Sequence, residues 1–299
     1  LSGLKTVWPG NPILMPPESL AEKTSELLAD PTALRCHIQR ALQAGTNPQF
    51  LWDDGHPIDN HLSVVFFLLG FYRRAPGHPL EPCVILNKRS SKVRQPGDIC
   101  CPGGGIAPRF DHFAAHLLRL PLSPFWHWDY YRFWQQEAPL SIPRLSLLLA
   151  TALREGFEEM RLNPLGVRFQ GMLPPEHLVM FKRRIYPLVG WVNRQQHFFP
   201  NWEVARIVRI PIRDLLHPDG YIGLRLKMTH RGAQGGGNEF QDFPAFRFPS
   251  PAGTEILWGA TYRITMSFLD RVFGFVPPDT GSGSVVEKCL TEDYLTGKG

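Results

Sequence analysis

Residues 154–159 read Arg-Glu-Gly-Phe-Glu-Glu. On a helix, Glu155, Glu158 and Glu159 fall at i, i+3 and i+4 and share one face. Like charges so placed repel by about 0.2–0.5 kcal/mol per pair when exposed, and by more when enclosed. A compensating charge is therefore expected. A hard divalent cation such as Mg²⁺ is the economical choice, because it takes oxygen ligands and shares its remaining positions with water and phosphate. Arg154, next to the cluster, is placed to hold one carboxylate in position. The alternative is a merely solvated helix face.

These acids need a helix, and the segment 144–162 supplies one. Its apolar residues recur at Leu149, Leu153 and Phe157, with Pro143 and Pro164 as boundaries. Upstream, Gly103, Gly104 and Gly105 end a strand-like stretch, 97–105. Three consecutive glycines imply a backbone that must pass close to something. Further runs rich in β-branched and aromatic residues predict strands over 62–72, 82–89, 166–173, 184–192 and 204–212. A helix is expected over 31–42, and a last one over 254–274 with Thr254 as its N-cap.

The glycine turn and the acidic helix together resemble the Nudix box, usually written Gx5Ex7REUxEExGU, with U a bulky aliphatic residue. Gly105 takes the first glycine position and Asp111 that of the first acid. Arg154, Glu155, Gly156, Phe157, Glu158 and Glu159 take the REUxEE positions. Between Asp111 and Arg154 lie 42 residues where the pattern has seven, so an insertion of about 35 residues splits the two halves of the motif. Preceding the box, "ILNKRSSKVRQPGDICCPGGG" is similar to the signature of coenzyme A diphosphatases, matching at Leu86, Arg89, Ser90, Arg94, Gly97, Pro102, Gly103 and Gly104. There are departures. Cys101 stands for phenylalanine, Ala107 for a loop acid, Gly156 for the aliphatic residue and Arg161 for a glycine; Asn163 and Pro164 are expected to release the chain from the helix instead.

The resemblance implies an α/β (α+β) fold, a Nudix-type α/β/α sandwich around a mixed β-sheet. It implies an enzyme that hydrolyses the diphosphate bond of a nucleoside diphosphate derivative with Mg²⁺ or Mn²⁺. CoA or acyl-CoA is the leading substrate, and ADP-ribose or a dinucleotide is the enzymatic alternative. A non-catalytic nucleotide- or partner-binding module is the alternative of another class. The implied metal ligands are Glu155 and Glu159, then Glu158, with a backbone group at Gly105. Arg154, the three acids and Glu203 form the catalytic set, with one carboxylate as general base. Arg89, Arg94, Gly103 and Gly104 would bind the substrate phosphates.

Composition sets bounds around this reading. The chain has 299 residues, 43% hydrophobic and 20% charged, enough for a sizeable core. Residues 1–60 read as an N-terminal extension and 61–276 as the catalytic domain. Within the latter, 112–150 is a helical insertion, and 277–299 reads as a loose tail. Aromatic residues crowd 125–134 and are expected either to pack the insertion onto the body or to form a lid. The net charge of +5 suits a polyanionic small-molecule ligand such as a CoA-like nucleotide; no DNA partner is expected and a homodimer is compatible. Five cysteines without a C-x-x-C pair suggest neither a disulfide framework nor a zinc site. No run is long enough for a transmembrane segment. A cytoplasmic location is the default, with organelle targeting left open because the chain begins at Leu1.

Overall fold

The structure, a computed structural model, describes residues 17–44, 62–178, 183–228, 239–280, 284–290 and 294. Asp53, Asp54 and Gly55, whose residue types suggest a loop, and most of the glycine-rich stretch 231–240 lie outside these residues. In chain order the elements are α1 (Pro17–Ala29), α2 (Pro31–Ala44), β1 (Leu62–Tyr72), β2 (Glu81–Arg89), β3 (Ile99–Cys100), β4 (Gly103–Gly104), α3 (Pro108–Leu118), α4 (Tyr131–Glu137) and α5 (Ser141–Met160). They continue as β5 (Val167–Met172), β6 (Glu176–Leu178), β7 (Arg183–Val192), β8 (Val204–Pro211), α6 (Ile212–Leu215), β9 (Tyr221–Met228), β10 (Glu239–Ser250), β11 (Gly253–Trp258), α7 (Gly259–Phe273) and β12 (Val285–Leu290).

The side chains of β1 alternate between two cores. Val64, Phe66 and Leu68 pack with residues of α3, α4 and α5, while Phe67 and Leu69 pack with α2 and α7. A strand buried on both faces has no polar side to show, which is why this one reads as an unbroken apolar run. The result is the expected α/β/α layering around a mixed sheet: β1 runs antiparallel to β2 and parallel to β7. The main path is β3-β2-β1-β7-β5, with β4 on β1, β6 on β7 and β8 on β2.

How β1 shares its edge places the glycine turn. β2 pairs with Leu68–Tyr72 only, and further along β1 the two residues of β4 pair with Val64 and Val65. The expected third strand, 97–105, is accordingly two short pieces, β3 on β2 and β4 on β1.

Several expectations need correction. α5 begins at Ser141, so Pro143 lies inside its first turn, where a missing N–H costs nothing because the helix has no acceptor for it. Thr254 is not an N-cap. Residues 253–258 pair with β10, and the helix starts only at Gly259, after Trp258. The tail is not loose over 285–290, which run parallel to β9. β9, β10, β11 and β12 form a second, four-stranded sheet that the sequence reading does not contain.

Nor is the N-terminal part mere adornment. Asp30 caps α2 by accepting the Thr32 and Ala33 N–H groups at 2.8 and 3.1 Å. Leu34, Ile38 and Leu42 on that helix are fully buried in the core shared with α7. Of the aromatics of 125–134, Phe125, Trp128, Tyr131 and Trp134 are likewise structural, buried against Phe169 and one another, while Trp126 and Phe133 are 38% and 44% exposed. Among the described residues, no helix is long and apolar enough to cross a membrane. Truncating Ile38 to alanine is expected to lower the unfolding free energy by about 2–5 kcal/mol in urea titration. A loss under 1 kcal/mol would show that α2 is dispensable to the core.

Candidate functional site

Asp111 on α3 and Arg154 on α5 meet across the 42 residues that separate them. Arg154 donates from Nε to Asp111 Oδ1 at 2.8 Å and from Nη2 to Oδ2 at 3.1 Å. The Asp111 side chain is fully buried, and two further donors complete its shell, the Ala107 N–H at 2.7 Å and the Thr151 hydroxyl at 2.9 Å, both to Oδ2. An ionised carboxylate in such a place is tolerable only when paired and hydrogen-bonded. Arg154 has donors to spare. Nη2 also reaches the Gly105 carbonyl at 2.8 Å, and Nη1 donates to Glu155 Oε1 at 3.0 Å and Glu158 Oε2 at 3.1 Å. Burial opposes the Arg154 charge, but Asp111, Glu155 and Glu158 together raise its pKa above the ordinary arginine value.

The glycine turn explains itself against these acids. A Cβ on Gly104 would lie 2.3 Å from Glu155 Oε1, and one on Gly103 would lie 2.3 Å from the Val64 carbonyl oxygen. Backbone must pass here without side chains. Glu159 sits deeper, with Asn87 Nδ2 donating to its Oε2 at 2.6 Å and the Gly103 N–H to its Oε1 at 3.4 Å. Burial lifts the Glu159 pKa to about 8; the Gly103 and Asn87 hydrogen bonds pull it down, and the charges of Glu155 and Glu203 push it up. Glu155 is raised as well, by burial first, against the opposing pull of Arg154.

The structure thus brings Glu155, Glu159, Gly103 and Gly104 together, with Glu203 close enough to Glu159 to affect its titration. The loop bearing Glu203 is tied down by the Asn201 N–H on the Glu159 carbonyl at 2.8 Å and the Ser90 N–H on the Glu203 carbonyl at 2.8 Å. Glu158 is 53% exposed and turned to Arg154, apart from the half-buried Glu155 and Glu159. The Gly105 carbonyl is engaged by Arg154 rather than left open toward a cation. Arg89 donates from Nε to the Arg94 carbonyl at 2.7 Å, folding its own loop, and Arg94 is exposed.

Two departures from the motif have local causes. Gly156 stands where an aliphatic residue is usual because a Cβ there would lie 2.8 Å from Leu162 Cδ2, so Leu162 already fills the space. Arg161 itself takes the left-handed conformation at φ 54° that ends the helix, while Asn163, expected to do so, sits at φ −75°. Three residues escaped the sequence-derived site set. Asp111 was matched only as a motif position, Thr151 gave no signal, and Asn87 did give one: an amide inside an otherwise apolar strand.

Among the described residues, no group of three or more His, Cys, Asp or Glu is gathered as a ready cation site. The donor chemistry nonetheless fits a hard dication. Glu155 and Glu159 offer oxygen only, and burial raises the pKa of both, so a bound cation would be needed to favour their charged forms. Asn87 Oδ1, fully buried beside Glu159, has no hydrogen-bond partner.

No protein-family model matches this chain, and no curated protein matches it. Among solved structures, a Nudix hydrolase from M. Smegmatis aligns with 14% identity and a TM-score of 0.31, covering 52% of this chain and 73% of that chain. A C. elegans Ap4A hydrolase aligns with 10% identity and a TM-score of 0.31, over 52% and 83%. The NUDIX domain of Shewanella oneidensis NrtR, complexed with ADP ribose, aligns with 14% identity and a TM-score of 0.32, over 58% and 83%. At these scores the likenesses carry no weight for the site, which rests on its own residues.

Two outcomes follow from the geometry. The Glu159 pKa is raised from the usual 4.5 to about 8, so between those values the folded state holds a proton that the unfolded state has lost. Stability then falls as pH rises through that window. In EDTA, Glu159→Gln is expected to match wild type near pH 4.5 and to exceed its Tm by roughly 5 °C above pH 8; equal melting curves at both pH values would refute the burial argument. Gly156→Leu is expected to cost about 1–3 kcal/mol by overpacking Leu162, and Leu162→Ala in the same chain to restore most of it, read by thermal unfolding.

Proposed function

We propose that this chain is a metal-dependent pyrophosphohydrolase of the Nudix type, acting on the diphosphate bridge of a nucleoside diphosphate derivative. The observation that carries this reading is the pair of half-buried carboxylates, Glu155 and Glu159, pressed against side-chain-free backbone at Gly103 and Gly104. Arg154 anchors Glu155 from its ion pair with the buried Asp111, and Asn87 with the Gly103 N–H holds Glu159. A solvated helix face has no reason to set two acids against bare glycine backbone.

Hydrolysis adds water across the P–O–P bridge: a P–O bond forms to the water oxygen, the bridging P–O bond breaks with its electron pair staying on the oxygen of the departing phosphate, and the two protons of water end on the two phosphate monoesters or in solvent. The dianionic substrate repels the nucleophile, and a Mg²⁺ or Mn²⁺ ion held by Glu155 and Glu159 would supply the positive charge that overcomes this. The residues of the chain divide the remaining work. Arg154 fixes Glu155 through Nη1 while Asp111 fixes Arg154. Asn87 holds one Glu159 oxygen and the Gly103 N–H the other. One of the three glutamates, or Glu203 in the neighbouring loop tied to Ser90, would take the proton from the attacking water.

CoA or acyl-CoA is the substrate we favour, because Arg89, Arg94 and Gly97 fall in the signature that precedes the box. The Arg89 to Arg94 hydrogen bond closes that loop. The test is product analysis by mass with CoA and Mg²⁺ or Mn²⁺. Wild type is expected to release adenosine 3′,5′-bisphosphate and 4′-phosphopantetheine, and Glu159→Gln to lose at least 100-fold in kcat, about 2.7 kcal/mol. Cleavage of ADP-ribose or a dinucleotide with CoA left intact would move the substrate assignment. Nucleotide binding without turnover, unaffected by Glu159→Gln, would replace the enzyme reading with that of a binding module.

A further inference from the structure

α3 has three faces, and only one is used by the fold. Asp111, Ala115 and Leu118 turn inward. At about 100° per residue, Phe110, Phe113 and Leu117 form a second stripe, 58%, 63% and 48% exposed. Leu120 and Leu122 follow in the turn after the helix, 54% and 79% exposed. Leu122 is held at φ 68°, a conformation that leucine rarely adopts. Arg109, His112, His116 and Arg119 line the remaining face, beside the apolar stripe.

The charge on this surface has one sign. The sole acid of α3, Asp111, is buried and neutralised by Arg154. His112 is held by the Pro108 carbonyl and His116 by Arg119, so the exposed face offers apolar rings and cations without a competing carboxylate. Large apolar side chains clustered in the open mark an interaction site. A helix with one apolar stripe and a basic flank has the build of an interfacial helix.

We infer that α3 and the following turn dock this protein on the surface of an anionic phospholipid bilayer, with Phe110, Phe113, Leu117, Leu120 and Leu122 in the acyl boundary and Arg109 and Arg119 at the headgroups. Charge complementarity selects this occupant. A second copy docking through the same stripe would bring two basic flanks together, whereas anionic headgroups satisfy both stripes at once. The inference is independent of the catalytic reading. It places the membrane against the very helix that carries Asp111, next to the acidic site.

The test is co-sedimentation of the full chain with phosphatidylcholine vesicles, plain or containing one-third phosphatidylserine. Binding is expected only to the anionic vesicles and should weaken as salt screens the cations. The exposed substitutions Phe113→Asp and Leu117→Asp together should lower partitioning at least tenfold while leaving Tm within about 2 °C, and Arg109→Glu should lower it about fivefold at low salt. Failure of wild type to pellet, or equal pelleting of the double variant, would overturn the inference. So would a wild-type dimer that Phe113→Asp and Leu117→Asp convert to monomer, since the stripe would then be covered by a second copy.

Discussion

The pairing of Asp111 with Arg154 is the constraint from which the site follows. A carboxylate with no solvent exposure must find a cation and a full set of donors, and α3 and α5 each bring part of that set. Ala107 N–H comes from the start of α3, and Thr151 and Arg154 from successive turns of α5. Because the pair fixes where the Arg154 guanidinium lies, it also fixes where its remaining N–H groups point. Those groups are what hold Glu155, Glu158 and the Gly105 carbonyl. The separation of the two residues in sequence is thereby made irrelevant to the geometry.

A second buried carboxylate does for the two sheets what Asp111 does for the helices. Glu255 on β11 is 1% exposed and lies between Lys88 of β2, at 2.9 Å, and Arg206 of β8. It ties the four-stranded sheet to the strand that also carries Asn87. The acidic site is therefore flanked by charge pairs that are spent on structure, while Glu155 shares Arg154 with Asp111 and Glu158, and Glu159 is held only by the neutral donors Asn87 and the Gly103 N–H. Burial, opposed in part by these partners, raises both pKa values.

What was legible in the sequence was local. The 3.6-residue period over 144–162 placed the three acids on α5, and the apolar runs at 62–72 and 82–89 gave β1 and β2, because in each case burial leaves its own spacing in the chain. The three glycines announced a close approach, though not that Glu155 was its object. Non-local partners were not legible. Thr254 reads as a helix cap until β10 is there to pair with it, and 285–290 look loose because their partner β9 lies some 60 residues earlier. Alternating mixed residues in β9 and β10 carried too weak a period to announce the second sheet. Arg161 at φ 54° shows the same limit at the level of one residue: nothing in its type foretells a left-handed conformation, and the Phe157 ring lying 5.0 Å from its guanidinium helps hold it there.

Asp98 sits at the end of the loop that follows β2, and it accepts hydrogen bonds from three distant places: Trp258 Nε1 at 3.2 Å, Lys288 Nζ at 2.6 Å and the Tyr294 hydroxyl. Lys288 is 190 residues further along. On the ribosome, which emits the N-terminal part first, Asp98 emerges long before its cation exists. The loop between β2 and the glycine turn consequently reaches its final charge balance only after Lys288 has been made, well after Glu203 completes the residues of the acidic site.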